Sequence, residues 1–265
     1  MADRLTAQRF AQGMSFADYV AFAGSPENLK RQGFDIRRFA HVTPRLDWSG
    51  FLKDRHAKAA PTPEQAAAIQ WLAKQPGGPA EGGSGSSVAG PRVSKVLMIV
   101  EDWSSDVRRD LPYIARLAEA GGLELRIFVR DGETMLMKGL PEPGQSPNAD
   151  LVQRYANDKN GQRFATVPVA VFFDRDFNEL YRYIEYPAIY HKDRLIGHLR
   201  TPRAGESDEA MKARAGAAIG ALLESPFYDV WARAAVDEIL SALHERVILA
   251  EGSVGGPPAW GPPRP

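Results

Sequence analysis

The sequence predicts an α/β fold with a central mixed sheet and helices on both faces, and two stretches carry this prediction. The run from Val96 to Val100 is continuously apolar and of strand length, which is typical of a strand buried on both faces. A second such run, Val169–Phe173, lies in the second half of the chain. Helices must cover such a sheet, and Val107, Leu111 and Ile114 follow the first run at helical spacing.

The regions on either side of this core are predicted to be mainly helical. Ser15 with Asp18, and Thr62 with Gln65, have the spacing of a capping box at a helix start. A Gly/Pro/Ser-rich stretch then forms either a linker or a long surface loop inside one domain. The predicted regions are a helical segment at 1–75, this linker or loop at 76–94, the core at 95–187, a helical extension at 188–250 and a disordered Pro-rich tail at 251–265.

The core is predicted to run in the order strand, helix, strand, helix, hairpin. Its first helix begins in the turn Trp103–Asp106, where Ser105 is a suitable N-cap and Asp106 brings a negative charge to the first turn. Pro112 should kink this helix, and Gly121 should end it. A strand is expected next, at Leu123–Val129, followed by a short helix that begins at Asp150 and ends near Asn160–Gly161. Two hairpin strands are expected last, at Val169–Phe173 and Leu180–Ile184.

This order, together with Trp103, the short turn and Pro112, resembles the thioredoxin superfamily. In that family the turn reads Trp-Cys-x-x-Cys, and here Ser104 and Val107 stand at the two cysteine positions. Val167-Pro168 resembles the conserved cis-proline that packs against the turn. The resemblance implies a thioredoxin-like fold and a peptide-facing groove lined by Trp103, Ser104, Ser105, Asp106, Val167 and Pro168.

A narrower resemblance is to a bacterial branch of thioredoxin-like proteins with an N-terminal helical segment and a turn that reads Trp-Cys-x-Asp. Asp106, Leu125–Phe128, Arg130-Asp131 and Gly13–Tyr19 carry this likeness. Ser104 replaces the cysteine that performs the chemistry in that branch.

Composition excludes several classes of function. Lys+Arg and Asp+Glu number 33 each, so zero net charge gives no reason to expect nucleic acid or an anionic membrane as a partner. The absence of cysteine excludes disulfides, thiolate metal sites and thiol redox cycling by this chain. The first residues lack the apolar core of a signal peptide, and no apolar run approaches membrane-spanning length, so we expect a cytoplasmic protein.

Polar motifs give few further candidates. A nucleophilic Ser104 would need an adjacent general base, and Asp106, expected to be exposed and ionised, is a poor one, so Ser104 is expected to help cap the helix. Arg108 and Arg109 are expected on a solvated helix face, with an anion site as the second choice. The Asp/Asn-rich stretch Asp174–Glu179 suits a hairpin turn better than a calcium loop. The spacing of the histidines predicts no zinc site, and we expect no metal or cofactor.

Two functional hypotheses follow. The first is a redox-inactive thioredoxin-like module whose groove binds a protein or peptide. The second is a thiol-disulfide oxidoreductase by descent, which would be monothiol if position 104 were cysteine in the native gene, because Val107 leaves no resolving cysteine.

Overall fold

The computed structural model describes residues 4–35, 47–74, 92–133, 136 and 139–252. Its helices are α1 Ala7–Ala11, α2 Phe16–Ala23, α3 Pro26–Asp35, α4 Ser49–Lys58, α5 Pro63–Lys74, α6 Ser105–Gly121, α7 Ala149–Arg154, α8 Lys192–Leu199, α9 Asp208–Leu223 and α10 Phe227–Gly252. Its strands are β1 Lys95–Val100, β2 Glu124–Val129, β3 Asn157–Lys159, β4 Gln162–Phe164, β5 Val169–Phe173 and β6 Glu179–Ile184. Most of the predicted linker and the tail from residue 253 lie outside the described residues.

The central sheet has four strands in the order β2-β1-β5-β6. Strand β1 pairs parallel with β2 and antiparallel with β5, and β5 and β6 form the predicted hairpin. All residues of β5, and all but the first of β1, are buried, as continuous apolar runs predict. The expectation of a mixed sheet flanked by helices is therefore confirmed.

Helix α6 is the element on which the two helical extensions meet. It contacts α4 and α5 from the N-terminal side and α10 from the C-terminal side. Leu52, Ile69 and Leu243 from these three helices belong to the same buried cluster as Ile99 of β1. Within the described ranges, no helix is both long and apolar enough to cross a lipid bilayer.

The segment before α2 joins the sheet at its outer edge. Met14 and Ile127 of β2 form an isolated antiparallel bridge, in which each N–H donates to the other's carbonyl at 2.9 and 2.8 Å. Gly13 makes this approach possible, because a Cβ there would lie 2.6 Å from the Phe128 ring. The capping boxes predicted at Ser15 and Thr62 both form.

One predicted boundary is wrong. The short helix α7 ends at Arg154, and Asn160-Gly161 instead forms the turn of a second, two-stranded hairpin made of β3 and β4. Asn160 and Gly161 have φ of 55° and 77°, which Asn and Gly adopt more readily than other residues. An Asn-Gly pair is a strong local signal for such a turn, so the sequence contained the information that would have predicted this hairpin.

Candidate functional site

A cleft of about 220 Å³ opens at the end of the sheet where β1 leads into α6. Because β2 runs parallel to β1, and β5 antiparallel, the residues after β2 and those before β5 come to this same end. The turn Trp103–Asp106 lies on one side and residues 164–167 lie on the other. The remaining lining residues are Arg130, Leu136, Gly139, Glu185 and Lys192.

Four of the six predicted groove residues line this cleft, namely Trp103, Ser104, Asp106 and Val167. Ser105 and Pro168 are not among the lining residues. The Ser105 carbonyl accepts a hydrogen bond from the Tyr228 hydroxyl at 2.5 Å.

The segment before β5 carries main-chain groups that could pair with a ligand. The Val167–Pro168 peptide bond is cis. The Ala165 carbonyl accepts from Arg130 at 2.8 Å, and the Pro168 carbonyl accepts from the Glu185 N–H at 2.8 Å. Between them, Thr166 and Val167 have no main-chain hydrogen bond within the part of the chain that the structure describes. The buried Thr166 hydroxyl, which also lines the cleft, has no partner either.

Ser104 is the N-cap of α6, but its side chain does not cap the helix. The expectation that the Ser104 side chain helps to cap the helix, and that Ser105 is the N-cap residue, is therefore wrong. The Ser104 side chain lines the cleft while the residue is only 7% exposed, and no described group bonds its hydroxyl.

Asp106 is buried, at 4% exposure, contrary to the expectation of an exposed first-turn carboxylate. One carboxylate oxygen accepts from Arg109 at 2.8 Å, and the other pairs with the ammonium of Lys192. Burial by itself would raise the pKa of Asp106, but these two cations outweigh it and hold the pKa below its ordinary value. Asp106 is therefore ionised, and its charge is compensated inside the protein.

Arg109 is also buried, and the expectation that Arg108 and Arg109 form a solvated helix face is wrong. The Arg109 guanidinium forms two hydrogen bonds of 2.7 Å to Asp110 in addition to the bond to Asp106. Asp110 also accepts from the Tyr183 hydroxyl at 2.8 Å, and burial raises the pKa of Asp110 to about 6. We call Asp106, Arg109, Asp110, Tyr183 and Lys192 the Arg109 cluster.

Arg108 makes a different set of contacts from Arg109. Its guanidinium stacks on the Trp48 ring, 3.6 Å from the ring centroid. It donates at 2.7 Å to the carbonyls of Asp102 and Trp103. Arg108 therefore holds the turn in place, because its guanidinium binds two main-chain carbonyl oxygens of the turn.

A second buried ionic group lies on the N-terminal side of the turn. Arg31 of α3 forms a bidentate pair with Glu101 at 2.8 and 3.0 Å, and Asn28 donates to Asp102 at 3.0 Å. Burial, together with the charge of Asp131, raises the pKa of Glu101 to about 7, and burial raises the pKa of Asp102 to about 6. We call Asn28, Arg31, Glu101, Asp102 and Asp131 the Arg31 cluster.

The Arg31 cluster reaches the cleft through Trp103. The Trp103 indole N–H donates to Asp131 at 3.1 Å, and the Asp131 N–H donates to Glu101 at 2.7 Å. Arg130 pairs with Asp131 at 2.7 Å, and its guanidinium lies over the Trp103 ring. A helix of the N-terminal segment therefore contributes to the position of one cleft wall.

Several lining residues had no signal of their own in the sequence. Lys192 lies 86 positions from Asp106, and nothing in its neighbourhood predicts that the two would meet. Glu185, which pairs with Lys159 at 2.9 Å, had no signal of this kind either. Arg130 was marked only by the family resemblance. Among the described residues, no group of three or more His, Asp or Glu side chains is arranged to hold a metal ion.

A family model described as thioredoxin matches residues 86–195. Two solved structures are similar over most of their lengths. An HIV epitope-scaffold is 16% identical, with 90% of this chain and 97% of that one covered and a TM-score of 0.44. A protein of unknown function from Pseudomonas aeruginosa is 17% identical, with 91% and 98% covered and a TM-score of 0.45. No curated protein matches the sequence.

The family match spans β1 to α8, which includes the whole sheet and the cleft. The strand order and the helix that follows β1 agree with it. This region is therefore a thioredoxin-like domain, and the predicted fold is confirmed. It is a thioredoxin-like domain without cysteine, in a chain that adds helices on both sides.

Proposed function

We propose that this protein is a redox-inactive module that binds a protein or peptide segment in an extended conformation at the cleft beside Trp103. The observation that carries the proposal is the free main-chain edge at Thr166 and Val167, which faces the turn of α6 across the cleft. An extended peptide can pair with such an edge as an added strand, and its side chains then enter the neighbouring pocket.

The enzyme hypothesis has less support from the site. A chain without cysteine has no thiolate, so thiol-disulfide exchange would require cysteine at position 104 in the native gene. Ser104 would need a general base, and Lys192 is a poor one. Burial lowers the pKa of Lys192, but the charges of Asp106 and Glu185 outweigh it and raise the pKa above its ordinary value. Asp106 itself is held ionised by two cations and has little tendency to accept a proton.

Three accompanying expectations stay predictions. They are membership of the bacterial Trp-Cys-x-Asp branch, a cytoplasmic location and the absence of a nucleic-acid partner. The groove residues Ser105 and Pro168 belong to the proposal as neighbours that hold the lining residues in place. The Ser105 carbonyl accepts from the Tyr228 hydroxyl, and the Pro168 carbonyl accepts from the Glu185 N–H.

Selection of phage-displayed random linear peptides on the full chain tests the proposal. Peptides enriched over bare matrix are then measured by fluorescence polarisation against wild type, Thr166→Trp and Thr201→Trp. The first substitution fills the cleft, and the second is a matched change at an exposed residue after α8. We expect affinity to fall about tenfold or more for Thr166→Trp, the size of effect seen when a central contact is lost, and to stay unchanged for Thr201→Trp.

Circular dichroism shows whether both variants fold. Amide chemical shifts of Thr166 and Val167 in the wild-type chain give a readout that needs no variant, because a peptide paired with this edge must move them. Enriched peptides that leave these two amides unshifted, or a selection that enriches none, would overturn the proposal.

A further inference from the structure

We infer that the cleft contains a carboxylate subsite at the N-terminus of α6, formed by the Ser104 hydroxyl and the first-turn N–H groups. The inference rests on the proposed function, because it specifies which chemical group of a bound peptide the cleft recognises. The carboxylate has two possible sources, the C-terminus of the peptide or an Asp or Glu side chain.

The donors are present and unused. Helix α6 has 17 residues, and its first internal bond runs from the Arg108 N–H to the Ser104 carbonyl. The N–H groups of Ser105, Asp106 and Val107 therefore precede the helix ladder, and no described group accepts from them. Ser104 as a residue is only 7% exposed and lines the cleft, and no described group forms a hydrogen bond with its hydroxyl, which is an independent indication of a missing ligand atom.

The carbonyl groups that would repel an anion at this turn are already bound. Arg108 takes the carbonyls of Asp102 and Trp103 from the inner side, and the Glu101 carbonyl accepts from the Ser104 N–H at 3.0 Å. The main-chain donors at the start of α6 are thus not opposed by free carbonyl groups, and the positive end of the helix dipole reinforces them.

The charged side chains of the cleft do not oppose this preference. Of the four charged lining residues, two are cationic and two are anionic, and each is paired within the protein. Asp106, the nearest carboxylate, bonds Arg109 and Lys192 and does not accept from the first-turn N–H groups. The local field at the turn is therefore set by the helix terminus and the hydroxyl.

A carboxylate fits these donors better than a neutral group does. Its two oxygens accept several hydrogen bonds, and bonds to an ionised acceptor are about twice as strong as neutral ones. On the opposite wall, the unpartnered Thr166 hydroxyl and the free Val167 main chain are placed to bind the adjoining peptide unit. The ligand class is an extended peptide with a carboxylate next to a residue that pairs with Val167.

Two-dimensional ¹H–¹⁵N NMR titration of the deuterated full chain at pH 7 tests the subsite with three short peptides. They are N-acetyl-trialanine with a free carboxylate, the same peptide as its C-terminal amide, and N-acetyl-Ala-Asp-Ala amide. We expect a carboxylate-bearing peptide to shift the amides of Ser105, Asp106 and Val107, and the neutral amide to leave them in place. Whichever of the two acidic peptides binds more tightly identifies the source of the carboxylate.

The variants are Ser104→Ala and, as a matched control, Ser241→Ala at an exposed position of α10 away from the cleft. We expect Ser104→Ala to weaken binding of the acidic peptide about tenfold, as the loss of a bond to a charged acceptor does, while Ser241→Ala binds like wild type. Equal binding of the neutral and acidic peptides, with shifts at Val167 alone, would overturn the subsite and leave the proposed function standing. If no peptide moves either set of amides, both fail.

Discussion

The Arg109 cluster and the Arg31 cluster lie on opposite sides of the same turn, and they differ in how many cations their carboxylates share. In the Arg109 cluster, Asp106 contacts two cations, one of which also binds Asp110, and the pKa of Asp106 is lowered. In the Arg31 cluster, Glu101 pairs with Arg31, and burial together with the nearby charge of Asp131 raises the pKa of Glu101 to about 7. Buried carboxylates in one small region can therefore titrate in opposite directions, depending on local pairing.

The largest expected effect comes from breaking the Arg109 cluster. Arg109→Met leaves Asp106 and Asp110 buried with one cation fewer between them, and removal of one partner from a buried ion pair typically costs about 3–5 kcal/mol. Urea unfolding at pH 7 measures the loss. Arg116→Met, at a partly exposed position on the same helix, is the control and should cost about 1 kcal/mol or less. Equal losses would mean that the cluster adds nothing specific.

A smaller loss is expected from Arg31→Met, because its main partner can take up a proton. With Glu101 already titrating near neutrality, the variant should lose about 1–3 kcal/mol at pH 8 and less at pH 5.5. Lys30→Met, at the exposed neighbouring position, serves as the control. A loss that does not depend on pH would show that Glu101 stays ionised throughout, and the contrast between the clusters would disappear.

The third expected effect is on the way in which the unfolding free energy depends on pH. A carboxyl group with a raised pKa in the folded state contributes stability that is present below its unfolded pKa, 4.5 for Glu101, and lost as pH rises through about 7. Glu101→Gln should therefore flatten the decline in unfolding free energy between these pH values by up to about 3 kcal/mol. Glu124→Gln, at an exposed carboxylate on β2, should leave the slope unchanged.

The sequence predicted the elements of this fold well because most of their signals are local. Continuous apolar runs predicted β1 and β5, and capping boxes predicted the starts of α2 and α5. By contrast, no capping box and no continuous apolar run predicted α4. Helix α4 fully buries one residue, Leu52, so its sequence shows no apolar stripe.

The candidate site was predictable in position but not in chemistry. The family resemblance identified Trp103, Ser104, Asp106 and Val167, all of which line one cleft. The state of Asp106 depends on Lys192, 86 positions away, and no local pattern encodes such a pairing. A cost of at most about 1 kcal/mol for Asp106→Asn follows from an exposed first-turn charge, and burial between two cations makes that figure too small.

The bridge between Met14 and Ile127 has a consequence for the behaviour of the chain in crowded solution. Strand β2 is an outer strand of the sheet, and an outer strand offers open main-chain groups to any other extended chain it meets. Met14 occupies both groups of Ile127 near the middle of that strand. The residues before α2 thereby protect this edge of the sheet from pairing with the strands of other molecules, and Gly13 lets them lie close enough to do so.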